Sequence, residues 1–245
     1  MAIAALALDA RAAAATALLR DIAAKHAPAA LASSFGAEDM VLLDLISKAA
    51  LPIAVFTLDT GRLPDETHAL IDRARKSYGI PIAVYAPSPA ALEPFVRAYG
   101  VNAFYGSVEH REACCAIRKT QPLARALAGK GAWITGLRRE QSVTRRDAGV
   151  QEHDAVHGLA KFNPLVEWTR DEVWAYIRLH HVPYNALHDR GYASIGCAPC
   201  TRAIEPGEDE RAGRWWWENP DRRECGLHAR PRAIPIVAVE PVALA

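Results

Sequence analysis

Short apolar runs alternate with longer stretches of helical period through the first two thirds of the chain. Residues 29–34, 52–58 (PIAVFTL), 81–85 (PIAVY) and 132–135 (AWIT) read as short buried strands. Between them, 38–50, 63–78, 90–99 and 112–127 carry apolar residues at helical spacing, and the alanine-rich stretch 1–30 predicts an amphipathic leading helix. This alternation predicts an α/β fold, a parallel twisted sheet with helices on both faces. Right-handed crossovers place the loops after the strands along one edge, where such sheets bind ligands. The polar stretch 136–157, with Arg138, Arg139, Arg145 and Arg146, is expected to be a mobile loop, and 171–180 a further helix. Beyond Pro183 the patterning fades, and Gly, Pro, Arg and Trp accumulate over 191–235. One compact domain is expected, divided into an α/β part (1–190) and an irregular C-terminal segment (191–245).

Composition changes this picture only by exclusion. A chain of 245 residues buries a full core without needing disulfides. A net charge of +1 gives no global attraction to nucleic acid or an anionic membrane, so any anion site must be a local cluster of Arg and Lys. No basic residue precedes the apolar run 2–8, as a signal peptide would require. No stretch approaches the roughly 18 apolar residues that span a bilayer. A cytoplasmic protein is expected, with no nucleic-acid or membrane partner. In that compartment paired cysteines bind metal or do redox chemistry more often than they form structural disulfides.

The five cysteines carry the chemistry. Cys114 and Cys115 are adjacent, Cys197 and Cys200 form a CxxC, and Cys225 stands alone in Glu224-Cys225-Gly226-Leu227-His228. Two close pairs make a metal or cluster site. Adjacent cysteines sit awkwardly on one tetrahedral zinc ion, whereas a cubane iron–sulfur cluster offers separate iron corners; zinc remains the alternative. Cys225 is left as a candidate nucleophile, and the neighbouring Arg222, Arg223 and His228 favour its thiolate.

Other motifs fall where a ligand edge is expected. Ser33-Ser34-Phe35-Gly36-Ala37-Glu38-Asp39 joins the first strand to the next helix, where backbone N–H groups and hydroxyls can cradle an anion. Leu58-Asp59-Thr60-Gly61-Arg62 ends the second strand on the same edge. Lys119 lies four residues after Cys115, one helical turn away. Arg211 and Arg214, three apart, suit phosphate or sulfate oxygens. His153 and His157 are four apart with no third ligand evident.

Taken in order from Ser33 to His228, these segments resemble the assimilatory adenylyl-sulfate reductases, the iron–sulfur branch of the adenylyl-sulfate and phosphoadenylyl-sulfate reductase family. The resemblance rests on SFGAED, LDTGRLPDET, CCAIRKTQPL, GLRREQSVTR, KFNPL, VPYNALHDRGYASIGCAPCT, RAGRWWWE and ECGLH. SFGAED looks like a modified pyrophosphate loop of the adenine-nucleotide alpha-hydrolase type, with Phe35 where a second glycine usually stands. The resemblance implies thioredoxin-dependent reduction of adenosine 5′-phosphosulfate to sulfite and AMP, in sulfate assimilation, through an S-sulfonated cysteine. It assigns Cys225 as nucleophile and Cys114, Cys115, Cys197 and Cys200 as ligands of a 4Fe-4S cluster. It places Ser33, Ser34, Phe35, Gly36, Asp39, Leu58, Asp59 and Arg62 around the adenylate, and Lys119, Arg145, Arg211 and Arg214 near the phosphosulfate. Thioredoxin is the expected protein partner, and a homo-oligomer is expected. With four thiols committed to a cluster, no second thiol in the chain can release sulfite from Cys225, so the reductant must come from outside. The alternatives are reduction of the 3′-phosphorylated substrate, a nucleotide transferase or ATP pyrophosphatase of the same fold, and a non-enzymatic redox sensor.

Overall fold

A computed structural model describes residues 2–219; Cys225 and the rest of the ECGLH motif lie outside the described residues. Six strands form one sheet in the order β3-β2-β1-β4-β6-β5. They are β1 (Ala29–Ala32), β2 (Ala54–Leu58), β3 (Ile82–Tyr85), β4 (Ala132–Ile134), β5 (Gln151–Asp154) and β6 (Leu159–Phe162). The helices are α1 (Ala2–Lys25), α2 (Ala37–Lys48), α3 (Asp65–Tyr78), α4 (Pro89–Tyr99), α5 (Val108–Cys115), α6 (Gln121–Leu127) and α7 (Arg170–Leu179). Among these six strands all pairings are parallel except β5–β6.

Successive side chains of a strand point to opposite faces, and the core divides accordingly. Ala29, Leu31, Val55, Ala132, Ile134 and Phe162 pack with residues of α1, α2, α3 and α7 on one face. Ala30, Phe56 and Trp133 pack under Leu123, Ala126 and Leu127 of α6 on the other. The leading helix contributes Leu8, Ala15, Leu19 and Ile22, a buried stripe at helical spacing.

Two expectations change. The stretch 136–157 is not simply a loop: it contains short turns at Arg139–Gln141 and Val143–Arg145 and then β5, which pairs with β6. β5 reads Gln-Glu-His-Asp, so it has no apolar period to betray it, and it makes the sheet mixed rather than wholly parallel. The predicted helix 112–127 begins earlier, at Val108, and is not regular: α5 and α6 are joined by a π-turn at Ala116–Thr120.

From β1 the chain steps outward to β2 and β3, then returns to place β4 on the other side of β1. The connections therefore diverge between β1 and β4, and a crevice opens beyond their carboxyl ends. Ser33-Ser34 leaves β1 there, and Thr135-Gly136 leaves β4.

Candidate functional site

A cavity of about 200 Å³ occupies that crevice. Its floor is the loop from β1 to α2. Ser34 donates to the Asp39 carboxylate from its backbone N–H (2.6 Å) and its hydroxyl (2.7 Å), and Ser33 Oγ accepts from the Phe35 N–H (3.2 Å). The loop closes because Phe35 takes the left-handed conformation, φ 59°, with its ring buried in the core. A glycine would adopt this φ freely; Phe35 bears a strain of about 1–2 kcal/mol, offset by burial of its ring. Gly36 caps α2 without any side-chain cap bond, so the helix start is open towards the cavity. On the β4 side, backbone approach is very close: a Cβ on Gly136 would stand 2.3 Å from Asp39 Oδ1. Burial, opposed by the Ser34 hydrogen bonds, pushes the Asp39 carboxyl up to about 6.

Cations converge on the same cavity from three distant segments: Lys119 from the π-turn, Arg145 from the turn after β4, and Arg211 and Arg214 from the irregular segment. Arg214 lies over the Trp215 ring (4.6 Å) and its Nη1 reaches Ser194 Oγ (3.5 Å). Of the sequence-proposed contacts, Ser33, Ser34, Gly36, Asp39 and Leu58 line the cavity with these four cations. Phe35, Asp59 and Arg62 do not. Asp59 accepts from the Gly61 N–H (2.8 Å) and faces His68 (3.2 Å), while Arg62 stacks on Phe104 (5.0 Å) and donates to Asn102 (3.2 Å). His157 of the spaced histidine pair is paired with Asp154 (2.7 Å).

The four paired cysteines line a second, smaller cavity together with Arg62, Arg111, Arg118 and Lys119. Cys114 and Cys115 end α5; Cys197 precedes a tight turn at Ala198–Cys200, which Cys200 ends. All four are free thiols, packed with Phe104 and Trp215. Burial pushes Cys200 up to about 11, helped by neighbouring Cys197, and raises Cys114 against the opposing pull of Arg118. Burial would also raise Cys197, but Lys119, a hydrogen bond to Thr60 (3.2 Å) and Arg214 together bring it below the ordinary thiol value. Arg118 and Lys119 both lie in the π-turn and are both buried. Lys119 and Trp215 line both cavities.

Four sulfurs with no oxygen or nitrogen donor suit an iron–sulfur cluster, and they suit a structural zinc ion as well. Among the described residues, no three His, Cys, Asp or Glu side chains gather tightly enough to hold a single ion.

Sequence reasoning passed over several residues that hold the site. Arg111 is buried and bidentate to Glu218 (3.0 and 2.8 Å), fixing the tryptophan segment to the cysteine-bearing helix. Arg118 donates to the Thr60 carbonyl (2.6 Å), tying the π-turn to the loop after β2. Arg138 bonds three carboxylates at once. Their motifs were visible, but apart from Glu140, two residues from Arg138, their partners lie 58 to 107 residues away in sequence.

The sheet order, the cavity at its point of divergence and the modified loop define an α/β protein of the adenine-nucleotide alpha-hydrolase type. The phosphoadenosine phosphosulfate reductase domain matches residues 28–203. Adenosine 5′-phosphosulfate reductase of Allochromatium vinosum is 57% identical over 91% of this chain and 87% of that protein. A crystal structure of phosphoadenylyl-sulfate reductase from Candida auris superposes with a TM-score of 0.67 at 28% identity, over 78% of this chain and 90% of that one. Candida glabrata FMN adenylyltransferase shares the fold alone, with a TM-score of 0.57 at 13% identity over 89% and 75% of the two chains. The chain belongs to the phosphoadenosine phosphosulfate reductase domain family, and within it to the group of the adenosine 5′-phosphosulfate reductases, which are oxidoreductases. Among the described residues no helix is long and apolar enough to cross a membrane.

Proposed function

We propose that the protein reduces adenosine 5′-phosphosulfate to sulfite and AMP, with Cys225 as nucleophile and thioredoxin as reductant, in the cytoplasm. The observation that carries the reading is the shared wall: a cavity lined by Lys119, Arg145, Arg211 and Arg214 adjoins the four-cysteine cavity through Lys119 and Trp215. The names of the curated relatives support the substrate.

The open start of α2 and the Ser33-Ser34 loop suit the nucleotide's phosphate, and the four cations suit the anionic phosphosulfate. Their charge also stabilises AMP as it leaves. The Cys225 thiolate attacks the sulfate sulfur; an S–S bond forms, the S–O bond to phosphate breaks, and AMP departs with that oxygen. A thioredoxin thiolate then attacks the Cys225 sulfur and expels sulfite. The partner's second thiol resolves the mixed disulfide, so the two electrons come from the dithiol. Cys225 follows the last described residue, Asn219, by six positions, a tether spanning about 20 Å at most. Cys114, Cys115, Cys197 and Cys200 would hold the 4Fe-4S cluster. When bound, it would supply iron–sulfide chemistry beside Lys119, the cation that lines both cavities.

The test is a single turnover. Incubated with adenosine 5′-phosphosulfate and no thioredoxin, the protein should gain one sulfonate, about 80 Da, at Cys225 and release one equivalent of AMP. Cys225→Ser should keep its iron and form no adduct. An adduct mapped elsewhere, or faster turnover of the 3′-phosphorylated substrate, refutes the assignment.

A further inference from the structure

Arg138 is fully buried, yet it does not line the cavity; it stands behind the wall. Its Nε donates to Glu38 Oε1 (2.6 Å), its Nη1 to Glu140 Oε2 (3.0 Å), and its Nη2 to both oxygens of Glu210 (2.9 Å each). The three carboxylates belong to three elements. Glu38 is in the first turn of α2, beside the Ser33–Gly36 loop. Glu140 is in the turn after β4, and the same Oε2 accepts from the Arg170 N–H at the start of α7 (2.9 Å). Glu210 immediately precedes Arg211. The Arg138 backbone N–H also donates to Gln141 Oε1 (3.1 Å), and that oxygen accepts from the Arg145 guanidinium as well.

We infer that Arg138 is a positioning residue, a latch that sets Arg145 and Arg211 against the anionic end of the ligand by joining the loop after β1, the turn after β4 and the irregular segment. Glu38, Gln141 and Glu210 all line the cavity, so moving any of them moves its wall. A guanidinium suits the task because it presents a planar fork of five donors. Lysine keeps the charge but is a single ammonium and cannot serve three carboxylates in these directions. Without the cation, Glu38 and Glu210 would turn unneutralised charge towards an anion-binding cavity. The irregular segment, whose described residues hold only a short turn at Ala198–Cys200 and one isolated bridge, would lose the bidentate tie from Glu210 to the sheet edge.

This rests on the proposed reading only for the choice of probe, and the test uses binding rather than turnover. In a Cys225→Ser background, titrate adenosine 5′-phosphosulfate and, separately, adenosine into the parent, Arg138→Lys and Glu210→Gln, with iron content and melting temperature recorded. A parent that binds adenosine but not adenosine 5′-phosphosulfate refutes the proposed function and not the latch. The latch predicts that adenosine 5′-phosphosulfate affinity falls on the order of tenfold in either variant while adenosine affinity stays within about twofold. It also predicts that the double variant is no worse than Arg138→Lys alone, because the two side chains act through one another. A strut that merely supports the fold would weaken both ligands together. Equal losses for both ligands, additive losses in the double variant, or unchanged adenosine 5′-phosphosulfate affinity in a folded variant would overturn it. Should Arg138→Lys not fold, the comparison of the two ligands in Glu210→Gln alone decides.

Discussion

Gly196→Ala offers a way to disturb the anion cavity without removing any of its charges. Gly196 needs no left-handed backbone, so alanine brings no conformational strain of its own. Its Cβ would, however, stand 2.2 Å from Arg214 Nη2, 2.5 Å from Cζ and 2.9 Å from Nη1. All three atoms are the far end of a flexible side chain, so the guanidinium should swing aside while the fold stays intact. What is lost is then one charge-assisted contact to the ligand, about 1.5–3 kcal/mol. At about 1.4 kcal/mol per factor of ten, kcat/KM for adenosine 5′-phosphosulfate should fall about tenfold to 150-fold. Steady-state kinetics with thioredoxin in excess measure this, with iron content checked because Gly196 adjoins Cys197. The double variant Gly196→Ala/Arg214→Ala should be no slower than Arg214→Ala, since the alanine acts only through that side chain. A kcat/KM within about twofold of the parent, with iron retained, would refute the reasoning, as would additive losses.

Asp39 gives a pH dependence with a definite sign: its carboxyl is held from its ordinary 3.8 up to about 6, so the folded protein carries the extra proton between those values. Stability should therefore decline as pH rises through that window, and affinity for adenosine 5′-phosphosulfate should strengthen as pH falls from 7 to 5; in Asp39→Asn both trends should flatten, as calorimetric titrations would show. Arg111→Ala would take its bidentate partner from the buried Glu218 carboxylate, which should lower unfolding free energy by about 3–5 kcal/mol. Replacing both partners with methionine should recover most of that loss in denaturant unfolding, because both side chains are buried and no uncompensated charge would remain there.

The sequence was most legible where one kind of signal sufficed. The first four strands announce themselves as apolar runs, and the helices of the first half as apolar periods broken by turns. The cysteine pairs are recognisable by spacing alone, and the structure brings all four to one cavity. What stayed hidden depends on partners distant in the chain or on backbone detail. β5 has only polar residues and is held as a strand by pairing with β6 and by the Lys161–Glu152 ion pair (2.8 Å). The π-turn is formed by a run, Ala-Ile-Arg-Lys-Thr, that an α-helix would also accept. Arg138 stands in a polar stretch that reads as solvated surface. Nothing local says that it is buried against Glu38, 100 residues before it, and Glu210, 72 residues after it. Phe35 occupies a position where glycine would be the simpler choice, so its left-handed backbone becomes visible only in the folded loop.

The polar strand β5 also guards the sheet. A parallel sheet that ended at β6 would offer a row of unpaired backbone groups between apolar side chains, a template for another chain. The antiparallel turn-back covers that row with a strand whose exposed side chains, Gln151 and His153, are polar groups that a second copy would have to strip of water before pairing. The opposite border is built otherwise: β3 leaves Ala83 and Val84 exposed, Val84 by 52%. Among the described residues, strand addition between copies would thus meet more resistance at the β5 border than at the β3 border, which gives this sheet a polarity of adhesion.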